Sequence, residues 1–88
     1  MAETTEDRKK RLFYLSHHRG QVENDILLGR FARGHLDGFD DAAMDDYERL
    51  LDETDVDIWA WVTGMQPLPV RHDNEVFALI RAEAQRKA

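Results

Sequence analysis

The sequence predicts an all-α protein, a compact five-helix bundle forming a single domain over residues 1–88, and three observations lead there. Apolar residues recur at intervals of three and four, the spacing that lines one face of a helix. Nowhere is there a sustained alternation of β-branched residues, the mark of a half-buried strand. Glycines, prolines and an acidic turn cut the chain into five pieces. A chain of 88 residues has room for one core only; the bundle is expected at about residues 5–70, with a C-terminal helix at about 73–86.

The first piece, about Thr5 to His18, has Thr4 and Thr5 as N-cap candidates, Glu6 and Asp7 at its positive end, and Leu12, Phe13 and Leu15 to bury. From Gln21 to about His35, Leu28, Ala32 and Leu36 follow at intervals of four. Val22 and Ile26 extend that stripe and Leu27 and Phe31 form a second, so this helix is expected at the centre. The segment Gly34-His35-Leu36-Asp37-Gly38 ends it, glycine tolerating the left-handed backbone that favours helix C-termini. Asp40 is the N-cap of a third helix burying Met44, Tyr47, Leu50 and Leu51. Thr54 or Asp55 caps a fourth, with Ile58, Trp61, Val62 and Met65 on one face and Trp59 to its side; Gly64 and Pro67 stop it. Asp73 caps a fifth helix, to about Arg86, that packs Val76, Phe77, Leu79 and Ile80.

Composition narrows the function. There is no Cys, which excludes disulfides, thiolate catalysis and cysteine-ligated zinc. His17 and His18 are adjacent, while His35 and His72 are expected in loops and on the surface. None has the i,i+4 spacing of a helical metal site, so no metal ligand is assigned. The acidic pairs Asp40-Asp41 and Asp45-Asp46 lack the EF-hand pattern, and Ser16, the only serine, has no recognisable base and orienting acid. Net charge is −6, and Asp37–Asp57 alone carries −9, which disfavours nucleic acid as a partner. Arg8-Lys9-Lys10-Arg11 reads as a solvated face. No stretch is long and apolar enough to insert in a membrane. With Met1–Asp7 neither a signal nor an Arg-rich transit peptide, the expected location is cytoplasmic, of bacterial type, in preference to a mitochondrial matrix protein lacking its transit peptide.

One segment breaks ordinary rules. In Arg19-Gly20-Gln21-Val22-Glu23-Asn24-Asp25, Asp25 falls on the arc of the helix expected to be buried, where a carboxylate needs a partner. Locally, Asp25 can serve the first helical turn, and Arg19 and Glu23 can pair at i,i+4. Functionally, Gly20 lets another chain approach closely while Arg19 and Glu23 present charge to it. Both readings stand on residue chemistry alone.

The Arg-Gly-x-x-Glu pattern of Arg19, Gly20 and Glu23 is similar to the signature of the SdhE family of succinate dehydrogenase assembly factors, whose eukaryotic members are the mitochondrial assembly factor 2 proteins. The family commonly continues with an acid where Asp25 stands. The likeness extends through Ile26–Ala32, Tyr47–Leu51 and Asp55–Trp61, with Gly64 and Pro67 beyond. The resemblance implies a five-helix bundle, monomeric and without a catalytic site. It implies binding to the flavoprotein subunit of succinate dehydrogenase, with the homologous fumarate reductase flavoprotein as a second client, and promotion of covalent FAD attachment to a histidine there. FAD is then the client's cofactor, not one held tightly by this chain. Arg19, Gly20, Glu23 and Asp25 carry over as client-binding residues; Trp59 is added to them from the residues alone, since it and Trp61 cannot easily share one core face and one of them is expected at the rim. Two other classes compete: an antitoxin or regulatory module, a label some bacterial members carry, and an unrelated helical adaptor docking through Trp59.

Overall fold

The computed structural model describes residues 3–86. They form five α-helices: α1 (Thr5–His17), α2 (Val22–His35), α3 (Asp41–Leu51), α4 (Asp55–Thr63) and α5 (Glu75–Gln85). Short 3-10 turns lie at Leu36–Gly38 and Val70–His72, and no strand occurs among the described residues. Helix α2 lies against α1, α4 and α5, and α3 closes the bundle against α1 and α5.

The helix starts are local chemistry. Thr4, Asp40, Thr54 and Asn74 each accept a hydrogen bond from the backbone N–H three residues on, at 2.8–3.2 Å, and the Gln21 side chain does the same for α2. Each of the Thr, Asp and Asn caps contributes about 1 kcal/mol over alanine. Helix α4 ends at Gly64, whose φ of +80° is the left-handed cap conformation.

The core joins Leu12 of α1, Leu27, Leu28, Phe31 and Ala32 of α2, Leu36, Met44, Tyr47, Leu50 and Leu51 around α3, Ile58 and Trp61 of α4, and Val76, Phe77 and Ile80 of α5. Tyr47 sits fully buried with its ring against Phe31 and Phe39. Its hydroxyl donates to Ser16 Oγ at 2.6 Å, and Ser16 in turn donates to the Leu12 carbonyl at 2.7 Å. Burial keeps the phenol well above its ordinary pKa, only partly countered by Ser16, so it stays a neutral donor. Helices α1 and α2 approach closely at Gly29, where an added Cβ would lie 3.0 Å from that of His17.

Several expectations are corrected. Val22 and Ile26 do not extend the buried stripe of α2; they are 66% and 60% exposed. The buried arc is centred on Leu27, Leu28, Phe31 and Ala32, with Asn24 inside it, and Val22 and Ile26 fall off its edge. Leu15 is likewise exposed, Ser16 taking the buried place on α1. Met65 is 73% exposed because the helix has already ended at Gly64. Asn74, not Asp73, caps α5. Neither Gly34 nor Gly38 has positive φ; a 3-10 turn closes α2 instead. His35 belongs to α2 and stacks on Phe31. His72 is not a surface histidine: it is buried, its Nε2 2.6 Å from Glu53 Oε2 and its ring beside Trp61.

The basic run on α1 is more than a solvated face. Arg8 reaches Asp45 and Glu48 of α3, and Arg11 reaches Glu3 and Glu48. Part of the −9 segment is therefore neutralised from within, and these arginines hold the Glu48 carboxyl below its usual range.

Candidate functional site

The Arg19–Asp25 segment connects α1 to α2, and its side chains divide into two groups. The first is turned into the protein. The Arg19 side chain is only 11% exposed. Its Nε donates to Asp55 Oδ1 at 2.5 Å, Nη1 to the Leu51 carbonyl at 2.8 Å and Nη2 to the Glu53 carbonyl at 2.7 Å. It does not pair with Glu23. The guanidinium satisfies carbonyls at the end of α3, and its charge meets a carboxylate in the first turn of α4.

Asp25 is half-buried, and its carboxylate accepts the backbone N–H of Arg19 at 2.8 Å and of Gly20 at 3.3 Å. The carboxylate on the buried arc is thus satisfied by the turn that precedes its helix, a local answer that the sequence left open. Asn24 is fully buried. Its Nδ2 donates to the Asp55 carbonyl at 3.0 Å and to Asp55 Oδ1 at 3.2 Å. Its Oδ1 has no partner. Arg19 and Asn24 thereby converge on Asp55.

The second group faces outward. Gly20 is exposed, with φ at +95° and nothing within 4 Å of where a Cβ would stand. Close packing inside the chain does not require a glycine here, but the backbone angle does. Glu23 is exposed and, among the described residues, makes no hydrogen bond or ion pair. It lies at the lip of a groove of about 250 Å³ lined also by Ile26, Leu27, Arg30, Trp59 and Ala84. Trp59, half-buried, forms the wall from α4, while Trp61 takes the core position. Arg30 is neutralised by the buried Glu83 of α5, Nε to Oε2 at 2.7 Å. The lip therefore carries an uncompensated negative charge beside exposed Ile26.

Of the five residues singled out in the sequence, the structure brings Glu23 and Trp59 together on one groove, sets Gly20 in the adjoining turn, and uses Arg19 and Asp25 to hold that turn. Sequence reasoning missed Asn24, Asp55 and Ile26. For Asn24 a signal existed, since on a helical wheel it falls between Leu27, Leu28 and Phe31. Among the described residues no group of three or more His, Cys, Asp or Glu could hold a metal ion, and no helix is long and apolar enough to cross a membrane.

Fold and site define a small helical domain in which Arg19, Asn24 and Asp25 are turned into the protein's own architecture, and in which an apolar groove beside them carries a free carboxylate at its edge. Residues 10–84 match the family model Sdh5, described as the flavinator of succinate dehydrogenase. The chain belongs to that family. It is 46% identical over 87 residues to succinate dehydrogenase assembly factor 2, mitochondrial, of Meyerozyma guilliermondii, covering 94% of this chain and 64% of that protein. The protein of the same name from Scheffersomyces stipitis is 41% identical, with 94% and 58% covered. Assembly factor 2-A, mitochondrial, of Drosophila yakuba is 40% identical over 81 residues, with 90% and 50% covered. The chain thus spans 50–64% of the length of these relatives.

The match supports the assembly-factor reading and lends nothing to the antitoxin or the unrelated adaptor. It also corrects the expected location. These relatives are named as mitochondrial proteins, which points away from the bacterial cytoplasm. The expectation rested on the charge pattern of Met1–Asp7, and the names of these relatives overturn it.

Proposed function

We infer that this chain binds the flavoprotein subunit of succinate dehydrogenase and promotes covalent attachment of FAD to it. Family membership supplies the client class. The observation that carries the reading to particular residues is the groove itself: Glu23 and Trp59, chosen from sequence for different reasons, line one depression beside the Gly20 turn. A groove of about 250 Å³ accommodates one or two side chains of a partner and is smaller than the usual small-molecule pocket. Its chemistry suits an apolar client side chain entering between Ile26 and Trp59, with a basic or N–H donor group meeting Glu23.

The chain contributes binding, not bond formation. By holding the client in the arrangement that brings its histidine and flavin together, it shifts the client's population toward the reactive state, to an extent set by its differential affinity for that state. FAD stays with the client, and complex formation is one-to-one. The test is covalent flavin fluorescence of the client after denaturing electrophoresis, from cells carrying Glu23→Ala, Trp59→Ala or the unaltered chain. Truncating a central aromatic anchor weakens binding by roughly tenfold or more, so flavin attachment falls in both variants. Normal attachment in both, at equal expression, would refute the assignment of the groove.

A further inference from the structure

We propose that Asp55 is a positioning residue for client recognition, and that Arg19 acts through it without its guanidinium touching the client. The inference rests on the reading of the groove as the client surface. The groove has one wall on α2, from Glu23, Ile26, Leu27 and Arg30, and one on α4, from Trp59. Asp55 joins the two walls. It lies one helical turn before Trp59 on α4, and its carboxylate receives Arg19 Nε from the α1–α2 turn and Asn24 Nδ2 from the first turn of α2. Asn24 also bonds the Asp55 carbonyl. Asn24 directly follows Glu23 in sequence, so Asp55, through its carboxylate and its backbone carbonyl, ties the segment that bears Glu23 to the helix that bears Trp59.

Arg19 is suited to bracing and not to display. All three of its donor nitrogens are aimed at acceptors within the protein, two of them backbone carbonyls that no substitution elsewhere would remove. Removing Asp55 leaves a largely buried guanidinium without its counter-charge, a state that favours its release to solvent. The α1–α2 turn then loses its hold on α4. Arg19 and Asp55 therefore share one charged contact between the α1–α2 turn and α4, and that contact is lost whichever of the two is removed.

A double-mutant cycle tests this. Arg19→Ala, Asp55→Ala and the double variant are titrated against purified apo-flavoprotein, at a temperature where circular dichroism shows each fully folded, so that global stability does not enter the readout. Asp55→Asn, which keeps an acceptor oxygen, replaces Asp55→Ala if the latter does not fold. Each single variant is expected to weaken binding by about tenfold and the double by the same tenfold. A hundredfold loss in the double would mean that Arg19 and Asp55 act independently, and would overturn the proposal, as would unchanged binding in both single variants. In the free protein, the Trp59 indole NMR signal should move in each single variant and no further in the double. An unmoved indole overturns the bracing role whatever the client does. Failure of the groove reading shows differently: Trp59→Ala binds the flavoprotein as tightly as the unaltered chain while the indole shifts remain.

Discussion

Replacing Gly20 by alanine separates two things that a glycine at an interface can do. The residue sits at φ +95°, and a Cβ there would meet nothing within 4 Å. The cost of Gly20→Ala is therefore backbone strain alone, about 1–2 kcal/mol for an L-residue held in the left-handed region. No clash adds to it. The turn is not free to relax, because the N–H groups of residues 19 and 20 are both held by Asp25. In a domain of this size about 1 kcal/mol moves the melting temperature by about 4–8 °C, so Gly20→Ala should melt about 4–16 °C lower and remain folded at 25 °C. Gly20→Arg carries the same strain, so its melting temperature should match that of Gly20→Ala. Only the arginine variant adds bulk on the face proposed to meet the client, so client binding should fall much further in Gly20→Arg than in Gly20→Ala. Urea denaturation gives the stabilities and titration with apo-flavoprotein the affinities. A loss below about 0.3 kcal/mol in Gly20→Ala would show that the turn relaxes out of the left-handed region. Equal client affinity for the two variants would show that no chain approaches Gly20.

Two other glycines predict opposite signs. Gly34→Ala meets open space in a helix and should stabilise by up to about 1 kcal/mol, whereas Gly29→Ala drives a Cβ to 3.0 Å from His17 and should lose more to overpacking, about 1–3 kcal/mol, than propensity returns; thermal melts of both variants check this, and stabilisation by Gly29→Ala would mean that α1 can move away. Acid sensitivity follows from Glu53, whose carboxyl is held low first by its hydrogen bond from Arg71 and then by that with His72. A depressed carboxyl contributes stability that is present above its unfolded value and is lost as pH falls through the folded one. Glu53→Gln should therefore cost less than about 1 kcal/mol near neutrality and flatten the decline below pH 4.5, measured by urea midpoints across pH; an unchanged acid slope would refute the role of this cluster.

The caps at Thr4, Asp40 and Thr54 were legible because capping involves only the next three residues, and Met44, Tyr47, Leu50 and Leu51 because α3 is amphipathic over its whole length. The central helix was misread for a physical reason. Selecting aliphatic residues for its stripe drew in Val22 and Ile26 and passed over Asn24, whose amide is buried because Asp55 lies opposite it. Glu23 and Trp59 could be chosen from sequence, but their sharing of a groove could not, since that depends on how α4 crosses α2. Arg19 shows the limit most plainly. Local spacing offers it only Glu23, while its actual partners lie 32 to 36 residues away in a turn whose carbonyls carry no sequence signal at all. His72 failed in the same way, its burial depending on Glu53 and Trp61.

The long reach of Arg19 also determines when the chain becomes recognisable. Helices α1 and α2 follow one another as a hairpin, and that hairpin carries only half of the groove. The other wall arrives with α4, which has nine residues, too few to be a stable helix alone in water, and which is fastened to the hairpin by a contact spanning more than thirty residues of intervening chain. A nascent or partly unfolded molecule cannot display Glu23 and Trp59 at their native separation. On the proposed reading of the groove, recognition then requires a finished tertiary structure, because both walls exist only in the folded chain.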